Sequence, residues 1–406
     1  MSERGLSLHI AALPFPSPQG TQAVLATMLR ALNAHDRTAA LFCYAHGQQR
    51  PGPPPPFPIY RSGTIPGVTP LRSGPHPGKL LLDARLSLQL PALERRLEPE
   101  LLVAHHVEAA LATLPSRRLR IFFAHTDLGA ELPHYVPRYA SKALGLPARL
   151  SGAALDAFLL RRFDAVATVS PLLASRLKRL APNASITPLP LPWPVDPDGP
   201  PCHDETQRAL CLSARRLLAL PESGALLLYA GNLDGYQGWQ SLLDALALLA
   251  SRQSDVHLLI ASDSDGRPVL QAARRRGLAG RVHLRKLGDE LLRVQLHRAA
   301  QLALVPRRAP GGLPIKLLDA MGRGLATVAT VRATAGLPVQ HAVEMVKDDD
   351  VHAMAAAVHA LLADAPRRRE LGTAAQRHIR DHHSEAGFAR AFRELAEEAR
   401  ARRKFL

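Results

Sequence analysis

The chain has 406 residues, 47% of them hydrophobic and 21% charged, with a formal net charge of +16. That length is long for one core and suits two domains, and no apolar run reaches the roughly 18 residues that span a bilayer. Aromatic residues at 4% are too few for nucleic-acid stacking platforms, and the three cysteines, Cys43, Cys202 and Cys211, form no CxxC pair, so the composition speaks against a membrane-spanning protein, a nucleic-acid binder and a structural zinc site, and for a reducing cytoplasm.

The positive charge has two readings. Of the 51 basic residues 44 are arginine, set among abundant Ala, Leu and Pro, which reads as a compositional bias spread over the surface. Residues 1–190 carry +10 of the charge, so a peripheral contact of the first domain with the inner face of a membrane stays open beside it.

In chain order, the run Leu6–Leu13 reads as a buried first strand rather than a signal peptide, because Pro14, Pro16 and Pro18 follow at once. A helix over Thr21–Ala34, a strand Ala39–Tyr44, a Pro/Gly-rich loop over 51–78 with a short strand near Phe57–Arg61, and a helix near Leu80–Leu97 come next. Strands Leu101–His105, Arg120–His125 and Asp164–Ser170 follow, the last leading into a helix from Pro171. The basic, amphipathic stretch Tyr135–Arg162 either faces the core or rests on a membrane surface. Dense prolines between residues 181 and 223 mark a boundary. Beyond it strands Ala225–Gly231, His257–Ser262, Val282–Leu284, Leu302–Val305 and Ala326–Ala329 alternate with helices Gln240–Ser251, Pro268–Arg276 and Asp289–Arg298. Helices Arg367–His378 and Ser384–Lys404 close the chain, broken at His382-His383.

Two rounds of strand–helix alternation predict an α/β protein of two doubly wound, Rossmann-like domains facing across a cleft. The expected bounds are 1–190 for the first domain, 191–222 for a proline-rich linker, 223–380 for the second domain and 381–406 for a C-terminal helix.

The richest segment is Pro306–Gly324. Gly311 and Gly312 let backbone approach a ligand, Pro314 suits a first helical turn, and the free amides there carry the positive end of the helix dipole. Lys316 adds a cation, and Asp319, three residues on, adds a carboxylate on roughly the same face, able to accept from a pair of sugar hydroxyls. A nucleotide-sugar has both an anion and such hydroxyls. Three further strand ends carry polar residues: Pro14–Gln22 with Gly20, His105-His106, and His125–Tyr135 with Asp127 and Glu131. The turn Tyr229–Gly238 also joins a strand to a helix and is rich in glycine. Adjacent histidines point in different directions and rarely share a metal, so no metal site is expected, and a cap or core role for one of them stays open.

In this combination the chain resembles a GT-B glycosyltransferase, and within that fold it is similar to the family 4 retaining enzymes. The likeness runs over nearly the whole chain and rests on Pro14–Gln22, His105-His106, His125-Thr126-Asp127, Val169-Ser170, Gly231–Gly238 and above all Gly311–Gly324. It implies a bacterial, cytoplasmic transferase of glycan biosynthesis, hexosyl-type and retaining, with no cofactor or metal. Its donor is a nucleotide diphosphate-sugar, and its acceptor a glycan, a lipid-linked or a small molecule. The second domain then holds the donor, the first holds the acceptor, and the last helix crosses back to the first domain. The family's paired glutamates map onto Gly311 and Asp319, so only the second is acidic, and by the resemblance Asp319 meets the ribose. The family's diphosphate-binding Arg and Lys map onto Asn232 and Gln237, both amides.

Arg307 and Lys316 are the nominated replacement cations, with His125 on the sugar side of the cleft as the third catalytic candidate. Gly20, Asn232, Gln237, Gly311, Gly312, Leu313 and Asp319 complete the expected donor site, and His105, His106, Asp127 and Glu131 the acceptor side. The missing acid and cations also motivate a second reading, a GT-B scaffold that binds sugar nucleotide or glycan without turnover. A GT-B epimerase is a third, for which the needed pair of acid/base carboxylates is not identifiable.

Overall fold

Aliphatic runs buried on both faces are what parallel strands covered by helices require, and the chain forms two such sheets. The computed structural model describes residues 5–17, 20–35, 38–47, 54–68, 77–139, 145–197, 205–251, 255–308 and 313–404, without the side chains of 134–139. The first half runs β1 (Ser7–Ala11), α1 (Gly20–His35), β2 (Ala39–Cys43), β3 (Ile59–Arg61), α2 (Pro77–Leu97), β4 (Leu101–His105), α3 (His106–Thr113), β5 (Leu119–Ala124), α4 (Leu128–Tyr139), α5 (Gly145–Leu160), β6 (Ala165–Thr168), α6 (Pro171–Leu180) and β7 (Ile186–Pro188). Strands β1, β2 and β4 are buried at every position. The sheet order is β3-β2-β1-β4-β5-β6-β7, and every pair is parallel.

The second half runs α7 (Glu205–Leu217), β8 (Ala225–Ala230), a 3-10 turn (Gly235–Gln237), α8 (Trp239–Ala250), β9 (Val256–Ala261), α9 (Arg267–Arg275), β10 (Val282–Arg285), α10 (Glu290–Arg298), β11 (Leu302–Val305), α11 (Ile315–Gly322), β12 (Thr327–Thr330), α12 (Val331–Thr334), β13 (Glu344–Val346), α13 (Val351–Ala363), α14 (Ala365–His382) and α15 (Glu385–Lys404). Its parallel sheet has the order β10-β9-β8-β11-β12-β13. In each sheet the order reverses once, between β1 and β4 and between β8 and β11. In open parallel sheets such a reversal is where the loops after the strands diverge and a ligand crevice forms.

The stretch expected as a linker is not all linker. Residues 205–217 contain no proline and fold as α7, anchored by buried Arg215. Its Nε donates to the Ala299 carbonyl at 2.9 Å, and its Nη2 to Gln301 Oε1 at 2.9 Å. The true crossing segment is short. Leu189, Leu191 and Trp193 are buried in it, the Trp193 amide donates to the His383 carbonyl at 2.8 Å, and His383 Nδ1 lies 2.8 Å from the Leu191 carbonyl.

Helix α15 returns to the first sheet and packs on α1, β5 and β6. Its Phe388, Phe392, Leu395 and Ala399 share one apolar cluster with β1 and α1 of the first half and with Leu317, Leu318 and Met321 of α11. Phe392 is fully buried. Truncating it to alanine removes a large side chain where the surroundings cannot collapse, so Phe392→Ala is expected to lower unfolding free energy by about 3–5 kcal/mol, read from urea denaturation.

Candidate active site

The two reversal points face each other. Gly20 opens α1 and Ile315 opens α11, and a Cβ on Gly20 would stand 3.5 Å from Ile315 Cγ1. Neither helix has an acidic residue in its first turn, and Pro314 gives α11 no side-chain cap. Two sets of helix-start amides therefore meet across the crevice with their positive dipole ends toward it. Gly311 and Gly312 lie outside the described residues. Leu313 and Ile315 pack partly buried against the shared core, which sets where α11 begins.

Lys316 is the cation at this junction. Its Nζ donates to the Tyr229 hydroxyl at 2.9 Å and to Gln237 Oε1 at 2.8 Å, and stands 4.1 Å from the centre of the Tyr229 ring. The Tyr229 hydroxyl in turn donates to the Asn232 carbonyl at 2.5 Å. Gly231, at φ 150°, is where the turn from β8 passes the ammonium: a Cβ there would lie 2.9 Å from Nζ. Desolvation, added to the charge of Arg307, pulls the Lys316 pKa well below the ordinary lysine range, and Asp234 opposes the fall. Burial likewise pushes the Tyr229 phenol far up. Gln237 thus supports the cation through its carbonyl oxygen, while Asn232 is exposed and contributes its backbone.

Arg307 leaves β11 beside Lys316. Burial lowers its pKa, and Tyr236, Glu131 and Tyr229 counteract. Glu131 comes from the first half, in the first turn of α4, where it accepts from the Thr126 hydroxyl. The same carboxylate acts on His106, and the His106 ring stacks on His125 with centroids 4.4 Å apart. Glu131 of the first half therefore acts electrostatically on Arg307 of the second half and on His106 of its own.

Three expected site residues are engaged by partners within the chain. The Asp319 carboxylate, expected at the ribose, is buried and turned into an ion-pair cluster, 3.2 Å from Arg323 Nε, 3.8 Å from His297 Nε2 and 3.9 Å from Arg293 Nε. Asp127 Oδ1 accepts from the Ala130 amide at 2.6 Å and its Oδ2 pairs with Arg176 at 3.2 Å, so it fixes the start of α4. His105 has no exposed surface, and among the described residues its ring bonds to two other histidines, His9 and His125, at 3.0 and 3.1 Å. It reaches an acceptor only through His125. Of the expected histidines, His105 is fully buried, His125 is 7% exposed and the stacked His106 is partly exposed. Sequence reading missed His9, whose signal was a lone polar residue inside the aliphatic strand Leu8-His9-Ile10. It also missed Asp156, buried and accepting from the Leu128 amide at 2.8 Å. The side chains of His134 and Tyr135 lie outside the described residues.

Burial would raise the Asp319 carboxyl, but Arg293, His297 and Arg323 hold it down at about 2. A folded pKa below the unfolded value means stability that is present above the unfolded carboxylate pKa and lost as pH falls through the folded one. Removing one partner of a buried cluster leaves the others unneutralised, so Asp319→Asn is expected to cost about 3 kcal/mol at neutral pH. In urea denaturation across pH, the gap to the parent should close between about pH 4 and pH 2.

Comparison with known proteins agrees with this architecture. Residues 18–192 match the family described as Glycosyltransferase Family 4, and residues 224–364 match Glycosyl transferases group 1. The phosphatidyl-myo-inositol mannosyltransferase of Mycobacterium tuberculosis is 37% identical over 123 residues, 29% of this chain and 31% of that protein. The match thus spans about a third of that relative's length. Among solved structures, the sucrose-phosphate synthase of Thermosynechococcus elongatus superposes with TM-score 0.78 at 17% identity, covering 98% of this chain and 100% of that one. An Anabaena protein solved in complex with UDP-glucose superposes with TM-score 0.69 at 16% identity, covering 96% and 98%. At such identities these two likenesses establish the fold. With one family match on each half and these neighbours over the whole chain, the chain is a GT-B glycosyltransferase of family 4-like type.

Proposed function

We propose that this chain transfers a hexosyl group from a nucleotide diphosphate-sugar to an acceptor hydroxyl with retention at the anomeric carbon. The observation that carries the reading is the Lys316 ammonium, held at the start of α11 by Gln237 and Tyr229 and opposite the start of α1. A diphosphate leaving group gains negative charge as the glycosidic bond breaks, and preorganised positive charge is usually the largest catalytic contribution. Lys316, Arg307 and two sets of helix amides supply it. An incoming diphosphate also favours the protonated form of a desolvated lysine, so binding and charging of Lys316 reinforce each other. His125 and His106 form the sugar-facing wall opposite, and closure of the crevice excludes water from the donor.

Binding and turnover test this directly. Nucleoside diphosphate release from UDP- or GDP-sugars should be measurable with the parent chain. Lys316→Met should weaken donor binding in calorimetry by about 10- to 100-fold, the worth of a hydrogen-bonded charge. Adding Gln237→Lys to that variant should restore part of the loss, since the new ammonium starts from the side chain that Lys316 now touches. Equal donor affinity for the parent and Lys316→Met would remove the phosphate role.

On the acceptor side the proposal is a lipid-linked hydroxyl met at a membrane surface. None of the described helices is long and apolar enough to cross a membrane. Helix α5, however, exposes Leu146, Leu150 and Phe158 at 65%, 62% and 40%. Their spacing of multiples of four places them on one face, with exposed Arg149, Arg161 and Arg162 nearby. Apolar anchors beside arginines suit an anionic interface, and the mannosyltransferase relative is named for a phosphatidyl-inositol. The chain should co-sediment with phosphatidylglycerol vesicles and be released by high salt, and Leu146→Ser/Leu150→Ser should bind them several-fold more weakly.

A further inference from the structure

His9, His105 and His125 come from β1, the end of β4 and the residue after β5, three strands that lie side by side in the first sheet. Their ring nitrogens form a chain. His9 Nδ1 is 3.0 Å from His105 Nε2, and His105 Nδ1 is 3.1 Å from His125 Nε2. Aromatic rings enclose it: Phe392 stacks on His9 with centroids 5.8 Å apart, and Phe123 on His105 at 5.3 Å. His9 and His105 have no exposed surface, so His125 is the end that meets the crevice.

A neutral imidazole has one donor nitrogen and one acceptor nitrogen. His105 uses both, so the proton it gives to one neighbour obliges it to accept from the other, and both hydrogen bonds run in the same direction. Two arrangements satisfy this. In one, every ring carries its proton on Nδ1, and His125 Nε2 accepts from His105. In the other, every ring carries it on Nε2, and His125 donates to His105. Both give the three rings one shared tautomer. A charged ring within the chain would have to be desolvated beside its neighbours, and burial together with the adjacent imidazoles drives the pKa of His105 well down, as burial and His106 do for His125.

We propose that His9 and His105 are positioning residues that lock the ring and the tautomer of His125, so that it presents Nδ1 in one fixed hydrogen-bonding sense to the sugar in the crevice. The His106 ring stacks on His125 with centroids 4.4 Å apart and adds a second restraint on its plane. The consequence for catalysis rests on the transferase reading above. The tautomer lock does not.

Long-range proton–nitrogen correlation spectra of the full chain labelled at its histidines, with single-histidine variants for assignment, report each tautomer in the resting protein. The expected result is three neutral rings of one type, all Nδ1–H or all Nε2–H. A mixed set, or averaged nitrogen shifts in any of the three, overturns the proposal whether or not the chain turns over. His105→Phe keeps a stacking ring but removes both nitrogens, and His125 should then show averaged tautomers. With donor and acceptor present, that variant should lose about 10- to 100-fold in kcat, the scale of a misplaced reacting group, with donor KM unchanged. A shared tautomer in a chain without transfer would count against the transferase reading alone. Unchanged kcat in His105→Phe, in a chain that does transfer, would overturn the positioning role.

Discussion

The site depends on one packing constraint: helix α11 belongs to two structures at once. It lies in the second half, after β11, yet its Leu317, Leu318 and Met321 are buried in the same cluster as β1, α1 and α15. Each such side chain contributes roughly 1.5–3 kcal/mol by leaving water, so sliding α11 would expose apolar surface on both sides of the crevice. The first turn of α11 carries Lys316 and faces Gly20. The apolar face of one helix therefore sets the distance between a cation and the amides of the opposite domain. Helix α15 reinforces this from outside by burying Phe388 and Phe392 against the first sheet.

The strands were legible because parallel strands buried on both faces must be nearly continuous aliphatic runs. Leu101–His105 and Leu302–Val305 have the bounds expected of them, and others moved by a residue or two, as element ends do. What stayed hidden was short or masked by its neighbours. Strands β7 and β13 have three residues each and were not among the expected strands. Helix α7 follows a proline-dense stretch whose composition overrode its own helical spacing.

The site was legible as segments and much less so as roles. Pro306–Gly324, Tyr229–Gly238 and the two histidine segments stood out because glycines and polar residues at strand ends are what a switch-point crevice is made of, and the described parts of each do follow a strand. Their side-chain assignments depended on partners that no local pattern shows. Asp319 looked available because Arg293 and His297 are more than twenty residues away in sequence, and Arg323, one turn on, gave no sign that the carboxylate turns inward. His105 read as a possible ligand residue because its strand neighbour His9 comes from nearly a hundred positions earlier.

The absence of cations at 232 and 237 and the presence of Lys316 are best understood as one change. Gln237 offers an oxygen to the ammonium at 2.8 Å, and a lysine or arginine in that place beside Lys316 would set like charges together in a desolvated pocket, where repulsion is strong. Gly231 is part of the same arrangement, since any Cβ there would crowd Nζ. Charge on a helix anchored in the core is also less free than charge on a turn, and the Lys316 ammonium is held by Tyr229 and Gln237. On the proposed donor role, its position relative to a diphosphate would be set by how the two halves close, which returns control of the electrostatics to the packing of α11.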